Sequence, residues 1–301
     1  MKLGFVGLGQ MGKPMALNLL KSGKELIVYD QRPNSYLEFE EQGARVAKGL
    51  QDVAEADIIF CSLPNSEVVH QVLLGEEGLK QALRTGQIIV DTSTIKYNTT
   101  LDIAKELAAR GVEFLDAPVS GMEARAKEGT LTMMCGGKQE LFTKVTPYLQ
   151  WMANKILYMG NSGSGQLTKL INQLLFDING AALAEILPMS IKLGLDPEKV
   201  GEVVNSGTGR SYASEFFIPK ILEGNFTEGY PMKHAYKDLV SGVEISSSLC
   251  IPMPVLCAAT TTYQIALLKG LGDRDKGGMI GVFEDLLQVQ YRKSTGKGGL
   301  G

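Results

Sequence analysis

Three glycines near the start of the chain constrain its fold more than any other feature. They lie in the segment Gly7-Leu8-Gly9-Gln10-Met11-Gly12, which ends an apolar strand pattern and opens a helical pattern over residues 11–21. In a G-x-G-x-x-G turn the first glycine makes the turn, the second lets a pyrophosphate approach the backbone, and the third lets helix pack on strand. The free N–H groups at the start of the helix then face the phosphates. The segment therefore predicts a dinucleotide-binding unit in which residues 7–12 contact the cofactor.

An acidic residue stands where such a unit binds the adenosine ribose. Asp30 ends the second predicted strand, 23 residues after Gly7, and can accept hydrogen bonds from the ribose hydroxyls. Its charge would repel a 2′-phosphate, so we expect NAD to be preferred. Arg32 is the argument for NADP as the alternative cofactor, because a guanidinium could hold that phosphate. Asp30, Gln31 and Arg32 thus join the predicted cofactor-binding residues.

The chain has two parts with different hydrophobic patterns. In the first, short apolar runs alternate with amphipathic stretches, which is typical of a mostly parallel sheet with helices on both faces. These runs cover residues 2–7, 25–30, 57–62, 88–91, 113–117, 131–135 and 155–158. From residue 166 onward, apolar residues recur at helical spacing. We predict an α/β Rossmann-type doubly wound sheet (residues 1–162), followed by an all-helical domain (residues 163–301) that a long interdomain helix joins to it.

Composition narrows the classes of function. Thirty basic and 33 acidic residues give a net charge of −3, which excludes an obvious electrostatic case for nucleic acid or an anionic membrane as partner. Only two histidines are present, so histidine-rich metal sites cannot be built, and we expect no metal. Four cysteines without a C-x-x-C spacing indicate reduced core residues of a cytoplasmic protein.

No targeting or membrane segment is predicted. The chain enters a strand pattern at residue 2, without a basic region or a cleavage site. The uncharged stretch 245–268 is long enough for a transmembrane helix but contains Pro252, Pro254 and several hydroxyl residues, so it is not predominantly apolar. We expect a buried helix that begins near Pro254.

Four segments together resemble the β-hydroxyacid dehydrogenases, the family of 3-hydroxyisobutyrate dehydrogenase and tartronate semialdehyde reductase. The first is the whole stretch 4–19 around the glycine turn, and the second is Asp116-Ala117-Pro118-Val119-Ser120-Gly121 with residues 129–132. The third covers residues 163–173 and the fourth is Lys237-Asp238-Leu239. They occur in the family's order and spacing, so the resemblance spans nearly the whole chain.

The resemblance implies that Lys169 is the catalytic acid and base. It would take the proton from the substrate hydroxyl during oxidation and return it to the carbonyl oxygen during reduction. A lysine does this well when desolvation lowers its pKa. Asn172 follows three residues later on the same helix face and would fix the hydroxyl, whereas Gln173 is a weaker candidate.

The remaining predicted site residues bind substrate or cofactor. A turn after a strand, with backbone N–H groups and the Ser120 hydroxyl, can hold a carboxylate at Ser120 and Gly121. Lys237 is expected, by resemblance, to reach the cofactor or the substrate. Two loops at the carboxyl ends of parallel strands, Leu63-Pro64-Asn65 and the loop with Thr94, complete the cofactor site by resemblance.

The substrate-binding stretch departs from the family at two places. Met122 replaces a second glycine, and Arg125-Ala126 stands where a Gly-Ala pair is usual. A methionine fills volume and offers a flexible apolar wall, so we include Met122 among the substrate-binding residues and expect a reshaped pocket. Arg125 either pairs with a second anionic group of the substrate or extends into solvent.

Three other functions are weighed. The 6-phosphogluconate dehydrogenases carry a histidine at the position of Asn172 and are much longer, which argues against decarboxylation. An imine reductase of the same fold has another residue at the position of Lys169, and an inactive cofactor-binding module would lose that lysine. The sequence therefore predicts an NAD(P)-dependent 3-hydroxyacid dehydrogenase that forms a homodimer or homotetramer.

Overall fold

The chain forms two compact units, residues Met1–Lys169 and Leu170–Gly301. The structure, a computed structural model, describes residues 1–32, 36–227 and 229–293. The division falls inside a helix, a few residues after the boundary at residue 162 predicted from the sequence, which stays a prediction.

The described part of the first unit contains one sheet of nine strands in the order β3-β2-β1-β4-β5-β6-β8-β7, with β9 paired to β8. Strands β1 to β6 pair in parallel, β8 runs antiparallel to β6 and β7, and β9 is parallel to β8. The strands are β1 Leu3–Val6, β2 Leu26–Tyr29, β3 Arg45–Val46, β4 Ile58–Cys61, β5 Ile88–Asp91, β6 Glu113–Asp116, β7 Val119–Ser120, β8 Leu131–Gly136 and β9 Ala153–Gly160.

Both faces of this sheet are buried, which explains why its central strands are apolar throughout rather than alternating. Successive side chains of a strand point to opposite faces. Phe60 therefore belongs to one core and stacks on Phe5 of β1 at 6.1 Å between ring centroids, while Ile59 belongs to the other. The helices that cover the two faces are α1 Gly12–Leu20, α2 Leu37–Glu41, α3 Ser66–Leu74, α4 Tyr97–Ala108, α5 Met122–Glu128 and α6 Gln139–Leu149.

The second unit is helical in its described residues, apart from one bridge between Pro231 and Asp275. Its core packs around Phe217, Leu239 and Tyr263. The helices are α7 Ser164–Lys192, α8 Pro197–Ser206, α9 Tyr212–Glu223, α10 Met232–Ser248, α11 Pro254–Leu268 and α12 Ile280–Leu287. Helix α7 begins in the first unit. Helix α11 begins at Pro254 as predicted, but it is buried on one face only, since Val255 and Leu268 are exposed.

The predicted fold class is confirmed, with two local additions. Strands β3 and β7 were not predicted, because two residues are too few to show a periodic pattern.

The prediction that all four cysteines lie in the core is wrong for two of them. Cys61 and Cys135 are buried, but Cys250 follows α10 in a turn and Cys257 lies on the outer side of α11.

One helix of the described residues has the length and composition of a membrane span. The most apolar part of α7 has a mean hydropathy of 1.4, and 44% of that part is buried inside the structure. A core helix of a soluble protein passes the same test, so this is weak evidence for a membrane.

Candidate active site

The glycine turn between β1 and α1 has the geometry of a phosphate cradle. Gly7 has a φ of +94°, and a side chain there would collide with the carbonyl oxygen of Ser62. A side chain at Gly12 would collide with the carbonyl oxygen of Gly7. Met11 precedes α1 without a side-chain cap, and the first turn of α1 carries no acidic residue. The N–H groups at this helix start thus suit an anion such as a pyrophosphate.

Asp30 lies against this turn and is bridged to Arg32. One carboxylate oxygen, Oδ2, accepts from the Leu8 N–H at 2.6 Å, and the other accepts from the Arg32 N–H at 2.8 Å and from Arg32 Nε at 3.1 Å. Burial raises the pKa of the Asp30 carboxyl, but the hydrogen bonds from Arg32 and Leu8 outweigh it and hold that pKa below its ordinary value. Arg32 is 68% exposed, so its guanidinium remains open to solvent beside Gly9. Gln31, between them, is exposed.

The loops after β4 and β5 are joined by hydrogen bonds. The Leu63 N–H donates to Ser93 Oγ at 2.9 Å, and Thr92 Oγ1 donates to the Cys61 carbonyl at 2.7 Å. Asn65 caps α3, since its Oδ1 accepts from the Val68 N–H at 2.9 Å. Pro64 is exposed and Thr94 is half-buried at the same edge of the sheet. Both predicted cofactor loops therefore lie at the carboxyl ends of neighbouring parallel strands.

The predicted substrate turn contains two residues with positive φ. Gly121 has a φ of +140°, and Met122, which starts α5, has a φ of +60°. Met122 thus keeps the left-handed backbone that a glycine adopts without strain, and its side chain is 39% exposed. Ser120 ends β7 and is half-buried.

Arg125 is held inside this stretch. Its guanidinium donates to the Thr130 carbonyl oxygen, and its aliphatic stem fills the space beside Gly121, where a Cβ would lie 2.9 Å from the Arg125 Cβ. The side chain is exposed, and the contacts that the structure gives it are local to this turn.

Lys169 is buried in the first turns of α7, with 8% of its surface exposed. Asn172 follows it on the same helix and is exposed, and Gln173 is half-buried. On α10 of the second unit, Lys237 is half-buried and Asp238 is buried.

Sequence reasoning gave no role to two buried residues that hold the start of α7. The carboxylate of Asp116 accepts from the Gly163 N–H at 2.7 Å and from the Gln166 N–H at 3.0 Å. The Gln166 side chain donates to the Ser93 carbonyl at 2.7 Å and accepts from the Ile95 N–H at 3.1 Å. An acid at a strand end and a polar residue after a glycine turn were visible in the sequence, but their pairing was not.

Two neighbouring strands end in buried carboxyls. Asp116 lies beside Asp91 in the sheet register. Desolvation raises the pKa of each to about 6, and the hydrogen bonds from Ser93 to Asp91 and from Gly163 and Gln166 to Asp116 only partly offset it. Within the described ranges, no group of three or more His, Cys, Asp or Glu residues could hold a metal ion.

Two known families match successive parts of the chain. Residues 2–160 match the family described as the NAD binding domain of 6-phosphogluconate dehydrogenase. Residues 163–283 match the family described as NAD-binding of NADP-dependent 3-hydroxyisobutyrate dehydrogenase.

Individual relatives cover nearly the full length. The chain is 39% identical to 2-(hydroxymethyl)glutarate dehydrogenase of Eubacterium barkeri, over 96% of both chains. It is 36% identical to mitochondrial 3-hydroxyisobutyrate dehydrogenase of Rattus norvegicus, over 91% of this chain and 84% of that one. Among solved structures, 3-hydroxyisobutyrate dehydrogenase of Salmonella typhimurium superimposes with a TM-score of 0.85 at 28% identity, over 94% of this chain and all of that one.

Proposed function

Because the chain belongs to the β-hydroxyacid dehydrogenase family and is an NAD(P)-dependent oxidoreductase, we propose that it interconverts a short 3-hydroxy acid and its semialdehyde. The observation that carries this proposal is Lys169, a buried lysine on a helix whose start is hydrogen-bonded to the loop after β5. Relatives of matching length act, by name, on 3-hydroxyisobutyrate and 2-(hydroxymethyl)glutarate.

In this proposal a bound NAD(P) would supply the hydride acceptor for the carbon that bears the hydroxyl, and the hydride donor in the reverse direction. Lys169 accepts the hydroxyl proton as the hydride leaves, so that an alcohol becomes an aldehyde, and it donates that proton to the carbonyl oxygen during reduction. Asn172 would orient the hydroxyl. Ser120 and Gly121 would hold the carboxylate, and Lys237 would bind cofactor or substrate.

The cofactor proposal is NAD in preference to NADP. Asp30 supports it, since its carboxylate lies against the glycine turn and would repel a 2′-phosphate. Arg32 favours the alternative only if its guanidinium leaves Asp30, to which Nε now donates at 3.1 Å and Nη2 at 3.4 Å.

We also propose a cytoplasmic homo-oligomer, either a dimer or a tetramer. Its support is the outer face of α7, where four large apolar side chains are exposed at positions that fall on one stripe at 3.6 residues per turn. They are Ile171, Leu175, Ile186 and Met189, and the exposed Leu193 directly follows the end of the helix at Lys192.

The experiment that tests the proposed reaction is a substrate panel. 3-Hydroxyisobutyrate, 2-(hydroxymethyl)glutarate, glycerate and their semialdehydes are each supplied with NAD or NADP, and the nicotinamide absorbance is followed. Cyclic imines with NADPH test the imine reductase. Turnover of imines alone would refute the proposal, and binding of cofactor without any turnover would favour the inactive module.

A further inference from the structure

We propose that Asp116 is a positioning residue that fixes the helical turn carrying Lys169. This inference rests on the proposed function, because it gives a role to Asp116 only if Lys169 must be placed accurately. Asp116 itself is fully buried and takes no part in the proposed proton transfer.

The carboxylate of Asp116, at the end of β6, caps the N-terminus of α7. An α-helix begins with N–H groups that lack partners within the helix, and a negative charge is favoured at that end. Each oxygen of Asp116 satisfies one such region: Oδ1 accepts from the Gly163 N–H at 2.7 Å, and Oδ2 accepts from the Gln166 N–H at 3.0 Å. Lys169 lies one turn after Gln166 on the same helix.

The Asp116 carboxylate is closely packed between two glycines, Gly136 and Gly165. A Cβ at Gly136 would lie 2.7 Å from Oδ1 of Asp116, and a Cβ at Gly165 would lie 2.7 Å from Oδ2. Real Cβ atoms essentially never come that close, so both glycines leave space that the carboxylate occupies. The helix start is therefore fixed from two sides by the size of these residues as well as by hydrogen bonds.

A second anchor reaches the same turn from the predicted cofactor loop. The amide of Gln166 joins the Ser93 carbonyl at 2.7 Å and the Ile95 N–H at 3.1 Å. Asp116 binds backbone N–H groups at the start of α7, and the Gln166 side chain binds the loop after β5. The first turn of α7 can therefore neither rotate nor slide without losing buried hydrogen bonds. The position of Lys169, one turn further along the same helix, depends on these hydrogen bonds. Misplacing a reacting group by about 1 Å can lower the rate about 100-fold.

The test compares Asp116→Asn with Gln87→Ala. An asparagine keeps one acceptor but turns an amino group toward backbone N–H donors, so it perturbs the helix start while keeping the shape. Gln87 is a matched control: it is buried, donates to the Ala54 and Ala56 carbonyls, and lies just before β5 at the opposite end of the sheet. Its loss should lower stability without touching α7.

Two readouts separate positioning from a merely structural role. With reduced cofactor deuterated at the transferred position, Asp116→Asn should lower kcat by about 10- to 100-fold and raise the kinetic isotope effect, because chemistry becomes slower than the other steps. The Kd for the cofactor should stay near the wild-type value. A loss of folded protein, as in Gln87→Ala, would lower kcat without changing the isotope effect on kcat/KM.

The second readout needs no turnover. The acetylation rate of the Lys169 amine by a small amine-reactive reagent, followed by mass spectrometry, should rise several-fold in Asp116→Asn and stay unchanged in Gln87→Ala. An unchanged Lys169 acetylation rate in the folded Asp116→Asn variant would overturn the inference, whatever the activity. An inactive wild type with every substrate of the panel would instead refute the proposed function.

Discussion

At the scale of single residues, the most direct prediction concerns Lys169. We expect Lys169→Ala to retain cofactor binding and to lower turnover by roughly two to four orders of magnitude, the usual size of general acid–base catalysis. Steady-state kinetics and cofactor titration measure the two effects. Lys192→Ala is the control, since that lysine lies at the other end of α7 and donates to the Leu287 carbonyl. Retention of more than a tenth of wild-type turnover would show that Lys169 is not the acid and base.

Asp30 gives a prediction about cofactor choice. Asp30→Ala removes a ribose acceptor and a charge that repels a 2′-phosphate, and it frees the Arg32 guanidinium that Asp30 now holds at 3.1 Å. We expect kcat/KM for NADP relative to NAD to rise by roughly tenfold, the scale of a hydrogen bond to a charged group. The companion variant Arg32→Ala should lower efficiency with NADP only. A ratio that stays constant in both variants would exclude this pair as the discriminator.

Met122 combines backbone strain with side-chain volume, and two substitutions separate them. Met122→Gly and Met122→Ala both shorten the side chain, so both should raise efficiency on small substrates such as tartronate semialdehyde relative to larger ones. Only glycine also relieves the positive φ of 60°, so it should be more stable to urea than the alanine variant by about 1 kcal/mol. Equal stabilities would mean that the turn relaxes at little cost. Unchanged substrate ratios would mean that Met122 does not line the pocket.

At the scale of elements, the outer face of α7 carries the prediction on assembly. Leu175→Glu places a charge on the apolar stripe, and Leu175 is 59% exposed in the single chain, so the substitution should not disturb the core. We expect the oligomer to dissociate, which light scattering after size-exclusion chromatography would detect. Leu37→Glu is the control, because Leu37 is similarly exposed on α2 of the first unit. A monomeric wild type, or an oligomer unaffected by Leu175→Glu, would refute this interface.

Elements with strong local patterns were predictable from the sequence, and those fixed by distant contacts were not. The glycine turn, the apolar strands and α11 all follow from residues adjacent in sequence. Strand β7 forms because Val119 and Ser120 pair with Met133 and Thr132 of β8, which no local pattern reveals. The same holds in the candidate site: a family motif pointed to Lys169, but the hydrogen bonds from Gly163 and Gln166 to Asp116 join residues about 50 positions apart.

At the scale of the whole molecule, buried carboxyls affect how stability depends on pH. Desolvation raises the pKa of Asp91 from 3.8 to about 6, and its Oδ2 has no hydrogen-bond partner among the described residues. The folded state therefore binds this proton more tightly than the unfolded state, so the stabilisation is lost as pH rises from about 4 through about 6.

Asp91→Asn tests this pH dependence, since asparagine does not titrate. The Tm of the variant minus that of the wild type should increase from about pH 4 to about pH 6 and then level off, because only the wild type must bury a charge at the higher pH. Thermal unfolding across that range measures the difference. A difference in Tm that stays flat with pH would show that the Asp91 pKa is not raised in the folded protein. Asp57→Asn, an exposed carboxylate before β4, serves as the control.

The start of α7 has a consequence for recombination between relatives. Its first turn belongs to the compact unit that ends at Lys169, and the N–H groups of Gly163, just before the helix, and of Gln166 within it donate to the Asp116 carboxylate. A chimera joined in the glycine-rich turn would take the N–H donors from one parent and the carboxylate from the other. The residues at positions 136 and 165, which must leave room for the carboxylate, would then also come from different parents. A crossover placed after Lys169 takes the Asp116 carboxylate, both glycines and Lys169 from the same parent. We therefore expect such crossovers to yield active hybrids more often than crossovers within the glycine-rich turn.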